Sequence, residues 1–335
     1  EHANKVGEKI LSVLSAPYAL AGHQYRSTPS IGIALFDEAC PTVGELLKQA
    51  DLAMYQAKQA GRSTLRFFDP GMQKAVDEHV ALEADLRSAL SHQEFSLHYQ
   101  PQVDAQGQIL GVEALLRWLH PQRGMVSPAQ FIPAAEETGL ILPLGRWVLH
   151  QACTLLAAWQ KQPLLAGLSM AVNVSSRQFR DHGFVSDVAR VLAVTGAPAA
   201  LLKLELTESL LVEDMTATIA TMEALRAHGV GFSLDDFGTG YSSLSYLKRM
   251  PLAQLKIDQS FVRDLLSDPN DAAIVRTIIA LAASLGLDVI AEGVETQEQR
   301  DWLARAGCGV YQGYFFSKPL PGLRLAQLLQ SGIAG

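Results

Sequence analysis

Between residues 72 and 322 the sequence alternates apolar, strand-like runs with segments of helical period, and the runs tend to finish on polar side chains. The pattern predicts strands at Phe95 to Val103, Ile109 to Trp118, Leu168 to Val174, Leu201 to Leu206, Gly231 to Asp235, Gln254 to Ile257, Asp288 to Ala291 and a short one near Val310 to Gln312. Asp104-Ala105-Gln106-Gly107 separates the first two and reads as a hairpin turn. Strand then helix, repeated at this length, folds as a (β/α) barrel or as an open doubly wound sheet. Glu113, Asn173, Glu205, Asp235 with Asp236, Lys256, Glu292 and Gln312 fall within or at the C-terminal ends of seven of these strands. An open sheet would spread such residues along a line, whereas a closed barrel gathers them at one mouth, so the expectation is a barrel.

The rest of the composition narrows the function. Of the 335 residues, 48% are apolar, which excludes a disordered chain. Lys and Arg number 27 against 34 Asp and Glu, a net charge of −7 that disfavours a nucleic-acid polymer or an anionic membrane as partner. Cys40, Cys153 and Cys308 show neither disulfide nor metal spacing, which suits a reducing compartment. No apolar run approaches the ~20 residues of a membrane span, and Glu1-His2-Ala3-Asn4-Lys5 lacks the order of a signal peptide. Together these predict a cytoplasmic protein. The start without Met reads as a fragment whose sensory or membrane parts lie upstream. Phe67-Phe68-Asp69-Pro70-Gly71 combines a strand end with turn chemistry and marks a domain boundary. Residues 1–70 then form a small α+β piece, with helices at about Asn4 to Leu14 and Thr42 to Ala60 and strands near Tyr18 to Tyr25, Ser30 to Phe36 and Leu65 to Phe68; residues 71–335 hold the barrel.

Five carboxylates at one mouth, Glu113, Glu205, Asp235, Asp236 and Glu292, would raise one another's pKa and cost several kcal/mol to keep ionised. Divalent cations remove that cost. Hard oxygen donors, with Asn173 adding a neutral carbonyl, suit Mg²⁺ or Mn²⁺ better than Zn²⁺, and adjacent Asp235 and Asp236 can serve two ions. A pair of ions about 3.5–4 Å apart clamps the attacking and leaving oxygens of a phosphoester. Lys256 can orient or activate the attacking water. Glu113, Leu115 and Arg117 share one strand face, so Arg117 reaches the same mouth and can hold a phosphate or a guanine edge. Asp236-Phe237-Gly238-Thr239-Gly240-Tyr241-Ser242-Ser243 has the glycines and hydroxyls of a mobile active-site loop.

These residues resemble a known family. Glu113-Ala114-Leu115-Leu116-Arg117 carries the EAL signature, and the chain from about 72 to 322 is similar to EAL-domain phosphodiesterases specific for cyclic di-GMP. Tyr99-Gln100-Pro101, Asn173-Val174-Ser175, Glu205-Leu206-Thr207-Glu208, Asp235 to Gly240, Leu255-Lys256-Ile257-Asp258, Glu292-Gly293-Val294-Glu295 and Gln312-Gly313-Tyr314 agree in order. The resemblance implies a modified (β/α)₈ barrel whose first strand runs against the others, and opening of cyclic di-GMP to linear pGpG. It implies that Glu113, Asn173, Glu205 and Asp235 bind one ion and Asp235, Asp236 and Glu292 a second. Lys256 would hold the attacking water, with Glu292 a candidate general base. Gln100 and Arg117 would contact substrate, Gln312 would line the site, Glu208 would anchor the loop, and Glu295 would support the centre. It also implies a homodimer through the loop region. The alternative within the family is a receptor that binds cyclic di-GMP without cutting it, which predicts loss of a metal ligand, the lysine or the loop glycines; none is lost.

The first seventy residues resemble the C-terminal part of a GGDEF domain, as in diguanylate cyclases. Ser30 to Ala34 is similar to its late strand and Ala50 to Arg62 to its last helix, with Lys58 and Arg62 at positions that contact GTP phosphates in that family. Ser63 stands where the family usually has Asn, and the GGDEF motif itself is absent, so a remnant without cyclase activity is expected.

Overall fold

The computed structural model describes residues 2–20, 23–25, 27–36, 42–59, 63–208, 210, 214–238 and 244–331, and the chain divides into two compact units, Glu1–Asp85 and Leu86–Gly335. In the first, α1 (His2–Leu14) precedes β1 (Tyr18–Leu20), β2 (His23–Tyr25) and β3 (Ile31–Ile33), followed by α2 (Val43–Gln59), β4 (Leu65–Phe67) and α3 (Gly71–Ala89), the helix within which the division falls. The single strand expected over Tyr18 to Tyr25 is two, paired antiparallel from Tyr18↔Tyr25 to Leu20↔His23. Strands β3 and β4 pair in parallel, Ile31↔Leu65 to Ile33↔Phe67. A Cβ on Gly32 would lie 2.0 Å from the Ala50 carbonyl of α2, so only glycine permits that close approach. Ser63 has φ +46°, the left-handed conformation that Asn tolerates better than Ser. That is a backbone reason for the Asn usual at this position in the resembling family. Cys40 and Arg62 lie outside the described residues, as do 239–243 of the glycine-rich loop.

The second unit contains β5 (Phe95–Asp104), β6 (Ile109–His120), β7 (Gly124–Val126), α4 (Pro128–Thr138), α5 (Ile141–Trp159), β8 (Ser169–Asn173), α6 (Ser176–Phe179) and α7 (Phe184–Thr195). There follow β9 (Leu202–Thr207), α8 (Met215–Ala227), β10 (Gly231–Phe237), α9 (Leu244–Leu247), β11 (Gln254–Ile257), α10 (Gln259–Arg263) and α11 (Pro269–Leu285). The chain closes with β12 (Asp288–Ala291), α12 (Gln297–Ala306), β13 (Val310–Tyr311), β14 (Leu320–Pro321) and α13 (Gly322–Ser331).

Eight strands close on themselves in the order β5-β13-β12-β11-β10-β9-β8-β6, with β6 pairing back to β5. Seven are parallel; β5 is antiparallel to both neighbours, β6 and β13. The turn that makes this possible is built from Asp104, whose Oδ1 accepts the N–H of Gln106 and of Gln108 at 2.8 Å, while Gly107 takes φ +78°. This is the modified barrel, and the mixed α/β fold, that the sequence led us to expect. Strands β7 and β14 escaped the periodicity reading, being three and two residues long. They pair antiparallel on the outer ends of β6 and β5.

Period two along each strand decides what faces where. Leu204 and Leu206, Phe232 and Leu234, and Leu255 and Ile257 are fully buried and pack outward with helix residues such as Leu156, Leu225 and Val275. Each such side chain contributes roughly 1.5–3 kcal/mol. Their strand neighbours Glu205, Ser233, Asp235, Gln254 and Lys256 face the barrel interior and are buried polar groups. Helix starts are fixed by side-chain caps: Ser175 with Gln178 and Thr296 with Gln299 form capping boxes, and Asp214, Asp258 and Asp268 accept N–H groups at the starts of α8, α10 and α11.

Candidate functional site

Lys256 is 0% exposed on β11 and its ammonium is surrounded by acids. Its Nζ lies 2.7 Å from Glu292 Oε1, 2.9 Å from Glu205 Oε2, 3.1 Å from Asp235 Oδ1 and 3.5 Å from Glu113 Oε2. Strands β6, β9 and β10, and the residue just after β12, thus deliver carboxylates to one cation on β11. They do not do so from one register level. Asn173 is level with Glu205, and Glu205 with Ser233, two residues before Asp235 on its strand. Barrel tilt and stagger bring the residues together in space although pairing offsets them along the strands.

Glu113 and Glu205 sit in the same cage and titrate in opposite directions. Burial alone would raise the Glu113 carboxyl, but Lys256, Gln312 and Asn173 outweigh it and hold it below its ordinary value. Asn173 Nδ2 donates to Glu113 Oε1 at 2.6 Å, and Gln312 Nε2 donates to Glu113 Oε2. Glu205 is pushed well above the usual carboxylate range, first by burial and then by its acidic neighbours, against the pull of Lys256. Its Oε1 is buried with no hydrogen-bond partner. Glu113 has two amides donating to its oxygens and a contact with Glu205, whereas Glu205 is raised by burial and by three acidic neighbours. Lys256 itself is held well above its ordinary value because four carboxylates outweigh its burial.

Asp235, Asp236 and Glu292 each place one oxygen within 4.8 Å of the others, so three acids can share a cation. Asp236 takes φ +53°, a conformation rare for a non-glycine residue, and its backbone N–H donates to Asp235 Oδ1 at 3.1 Å. Its carboxyl is pushed up to about 6 by burial, with Asp235 and Asp258 adding to the effect. Glu292 is pushed up to about 8 by burial, with Asp235 and Glu113 adding and Lys256 opposing. An orphaned carboxylate oxygen, acids held partly protonated and hard oxygen donors together fit a divalent cation.

A chain of amides holds the opposite side. Gln102 Nε2 donates to Gln312 Oε1 at 3.1 Å, Gln312 Nε2 to Gln100 Oε1 at 3.2 Å, and Gln100 Nε2 to the Ser317 carbonyl at 3.1 Å. Gln312 is fixed by its neighbour too: a Cβ on Gly313 would fall 2.0 Å from the Val294 carbonyl. Gln102 was missed by the sequence analysis; its place two residues after Gln100 on β5 was the available signal. Asp258 was missed as a group beside Asp236, having read only as part of a motif. Gln100, Glu113, Leu115, Arg117, Glu292 and Tyr314 are among the walls of a cavity of about 340 Å³ at this mouth. Arg117 Nη1 donates to the Leu116 carbonyl at 2.8 Å. Glu295 is exposed on the wall of the same cavity. Glu208 is buried and its Oε2 accepts the Gly238 N–H at 3.3 Å, at the start of the glycine-rich loop.

These pKa directions set a pH dependence. A carboxyl whose folded pKa is raised binds its proton more tightly folded than unfolded, so its contribution is fully present below the ordinary value of 4.5 and is lost as pH rises through about 8. Metal-free protein should therefore lose thermal stability between about pH 5 and pH 8.5. Added Mn²⁺ should flatten that slope, because the cation displaces the same protons. Calorimetry with and without Mn²⁺ checks this; equal slopes would rule out cation binding at these acids.

A (β/α)₈ barrel with a reversed first strand and an acid-caged lysine at its mouth is the class of protein these features define. Residues 83–319 match the EAL domain and residues 1–64 the diguanylate cyclase GGDEF domain. The chain belongs to the EAL-domain family. It is 45% identical over 324 residues to the bifunctional diguanylate cyclase/cyclic di-GMP phosphodiesterase MucR of Pseudomonas aeruginosa, covering 96% of this chain and 47% of that protein. It is 39% identical over 316 residues to the cyclic di-GMP phosphodiesterase PdeR of Escherichia coli, covering 94% and 48%. The chain spans about half the length of these curated relatives. Among solved structures, the MucR phosphodiesterase in complex with c-di-GMP shares 47% identity with a TM-score of 0.71, covering 73% of this chain and 99% of that one. The FimX EAL domain of Pseudomonas aeruginosa bound to c-di-GMP shares 28% with a TM-score of 0.65, covering 71% and 96%. No described helix is long and apolar enough to cross a membrane.

Proposed function

We propose that this chain hydrolyses cyclic di-GMP to linear pGpG with two divalent ions, Mg²⁺ or Mn²⁺. The observation that carries the reading is the arrangement of four carboxylates about one buried ammonium, with Asp236 beside two of them and a Glu205 oxygen left unpaired. If all five acids ionise, one lysine leaves four negative charges uncompensated, the charge that two divalent ions cancel. Glu113, Asn173, Glu205 and Asp235 would hold one ion, and Asp235, Asp236 and Glu292 the other. Bound there, the ions supply Lewis-acid activation of the phosphodiester and of water at neutral pH.

The chain's own groups do the rest. Lys256 donates a hydrogen bond that orients the attacking water, and Glu292 accepts its proton. Arg117 holds a non-bridging phosphate oxygen, and Gln100 and Gln312 fix the wall against which the substrate lies. The water oxygen bonds to one phosphorus in line with the bond to O3′, which breaks, leaving a 5′-phosphate and a 3′-hydroxyl that takes up a proton. Glu208 anchors the start of the glycine-rich loop, and Glu295 supports the centre. The unit acts in the cytoplasm as a homodimer through the loop region. Residues 1–70 are the C-terminal part of a GGDEF-like domain and residues 71–335 the phosphodiesterase domain.

Incubation of the whole chain with cyclic di-GMP and Mg²⁺ or Mn²⁺, followed by chromatography, tests the reading. pGpG should accumulate, stop on chelation with EDTA and resume when the metal is restored. Tight binding of cyclic di-GMP with no pGpG would establish a receptor instead.

A further inference from the structure

Among the described residues, Glu205 Oε1 and Ser233 Oγ in the barrel interior are buried without a hydrogen-bond partner. They belong to register partners: Glu205 on β9 is paired with Ser233 on β10. Both residues face the interior. Glu205 does so by its contact with Lys256, and Ser233 by alternating with Phe232 and Leu234, which pack outward. Ser233 also precedes Asp235 by two positions, on the same face of the strand, and is 0% exposed. On its other side the register partner is Gln254, whose Oε1 is engaged by Lys203 at 3.4 Å. Neighbouring parallel strands run about 4.8 Å apart, so a hydroxyl and a carboxylate on paired residues reach each other by rotation or through one water. Most buried polar atoms in folded proteins are paired, and the Ser233 hydroxyl can donate one hydrogen bond.

We infer that Ser233 is a positioning residue whose hydroxyl donates to one lone pair of Glu205 Oε1, directly or through a single water, and so holds the carboxylate in the orientation that turns the other lone pair of that oxygen toward a cation. The inference rests on the reading of Glu205 as a metal ligand given above. Ser233 gives Glu205 what Asn173 and Gln312 give Glu113: a donor that holds the carboxylate in one orientation. Partners of this kind, behind the ligands themselves, typically change metal affinity about 10–100-fold when removed.

The test is Mn²⁺ binding to the whole chain without substrate, read by the electron paramagnetic resonance of free Mn²⁺ and by the rise in melting temperature on adding metal. Ser233→Ala should weaken Mn²⁺ affinity about 10–100-fold while leaving the metal-free melting temperature close to that of the parent. Ser233→Thr, which keeps the hydroxyl, should restore most of that affinity; a Thr variant as weak as Ala would overturn the hydrogen-bond basis. Glu205→Gln serves as the second arm. Loss of affinity in Glu205→Gln with none in Ser233→Ala would overturn the role of Ser233 alone. Unchanged affinity in both would overturn Glu205 as a ligand, and the inference with it. A Ser233→Ala variant whose melting temperature falls equally with and without metal would mark Ser233 as structural and also refute the proposal.

Discussion

Lys256→Met should destabilise the metal-free protein by about 3–5 kcal/mol near neutral pH, the cost of leaving buried charges without their partner. In a domain of this size that is a fall in melting temperature on the order of 10 °C. The physical cause is specific. Lys256 is the single cation within 3.5 Å of Glu113, Glu205, Asp235 and Glu292 among the described residues, and it is itself fully buried. Methionine fills the volume and removes the charge. The deficit should shrink toward about pH 5, where the acids can neutralise themselves by taking up protons, and should be offset by Mn²⁺ at higher pH. Turnover should fall as well under the proposed mechanism, in which Lys256 orients the attacking water. Differential scanning calorimetry over pH, with and without metal, separates these effects. A metal-free Met variant as stable as the parent at about pH 8 would mean that the acids are neutral in the native state and the cage needs no cation.

The second large effect is expected on activity. Glu113→Ala should lower turnover of cyclic di-GMP on the order of 10³-fold, the scale of losing a principal electrostatic contact in the transition state. It should also weaken Mn²⁺ binding. Glu113 is held below its ordinary value, with Asn173 and Gln312 donating to its two oxygens. Removing it takes an acceptor from both donors, but Gln312 Nε2 keeps Gln100 Oε1 and Asn173 is exposed to water, so the added cost in stability should be small. Steady-state kinetics with saturating metal, read beside the melting temperature, keep the two consequences apart. Near-normal rates in a folded Glu113→Ala chain would show that the ligand assignment is wrong.

The architecture was legible where its signal is local. Alternation of strand and helix, the Asp104 to Gly107 turn and the capping residues each act over a few residues, and the sequence pattern carried them directly. The short strands β7 and β14 were not legible, since they exist through pairing with β6 and β5 rather than through a pattern of their own. The same holds for the strand read across Tyr18 to Tyr25, where the pairing of Leu20 with His23 is a contact between two segments.

At the mouth, residue types alone identified the acids, the lysine and their suitability for hard cations, because the chemistry-bearing side chains stand within or at the ends of successive strands. The sequence could not show that Lys256 replaces a counter-ion within a closed cage. Nor could it show that Glu113 and Glu205, alike in type and burial, are pushed in opposite directions. That difference depends on which amides and acids lie beside each carboxyl, and therefore on strand tilt and stagger. By itself the sequence determined the set of groups and the order in which strands deliver them. Only the tertiary structure decided which donor meets which oxygen, because distances across a closed barrel are set by its register and not by spacing along the chain.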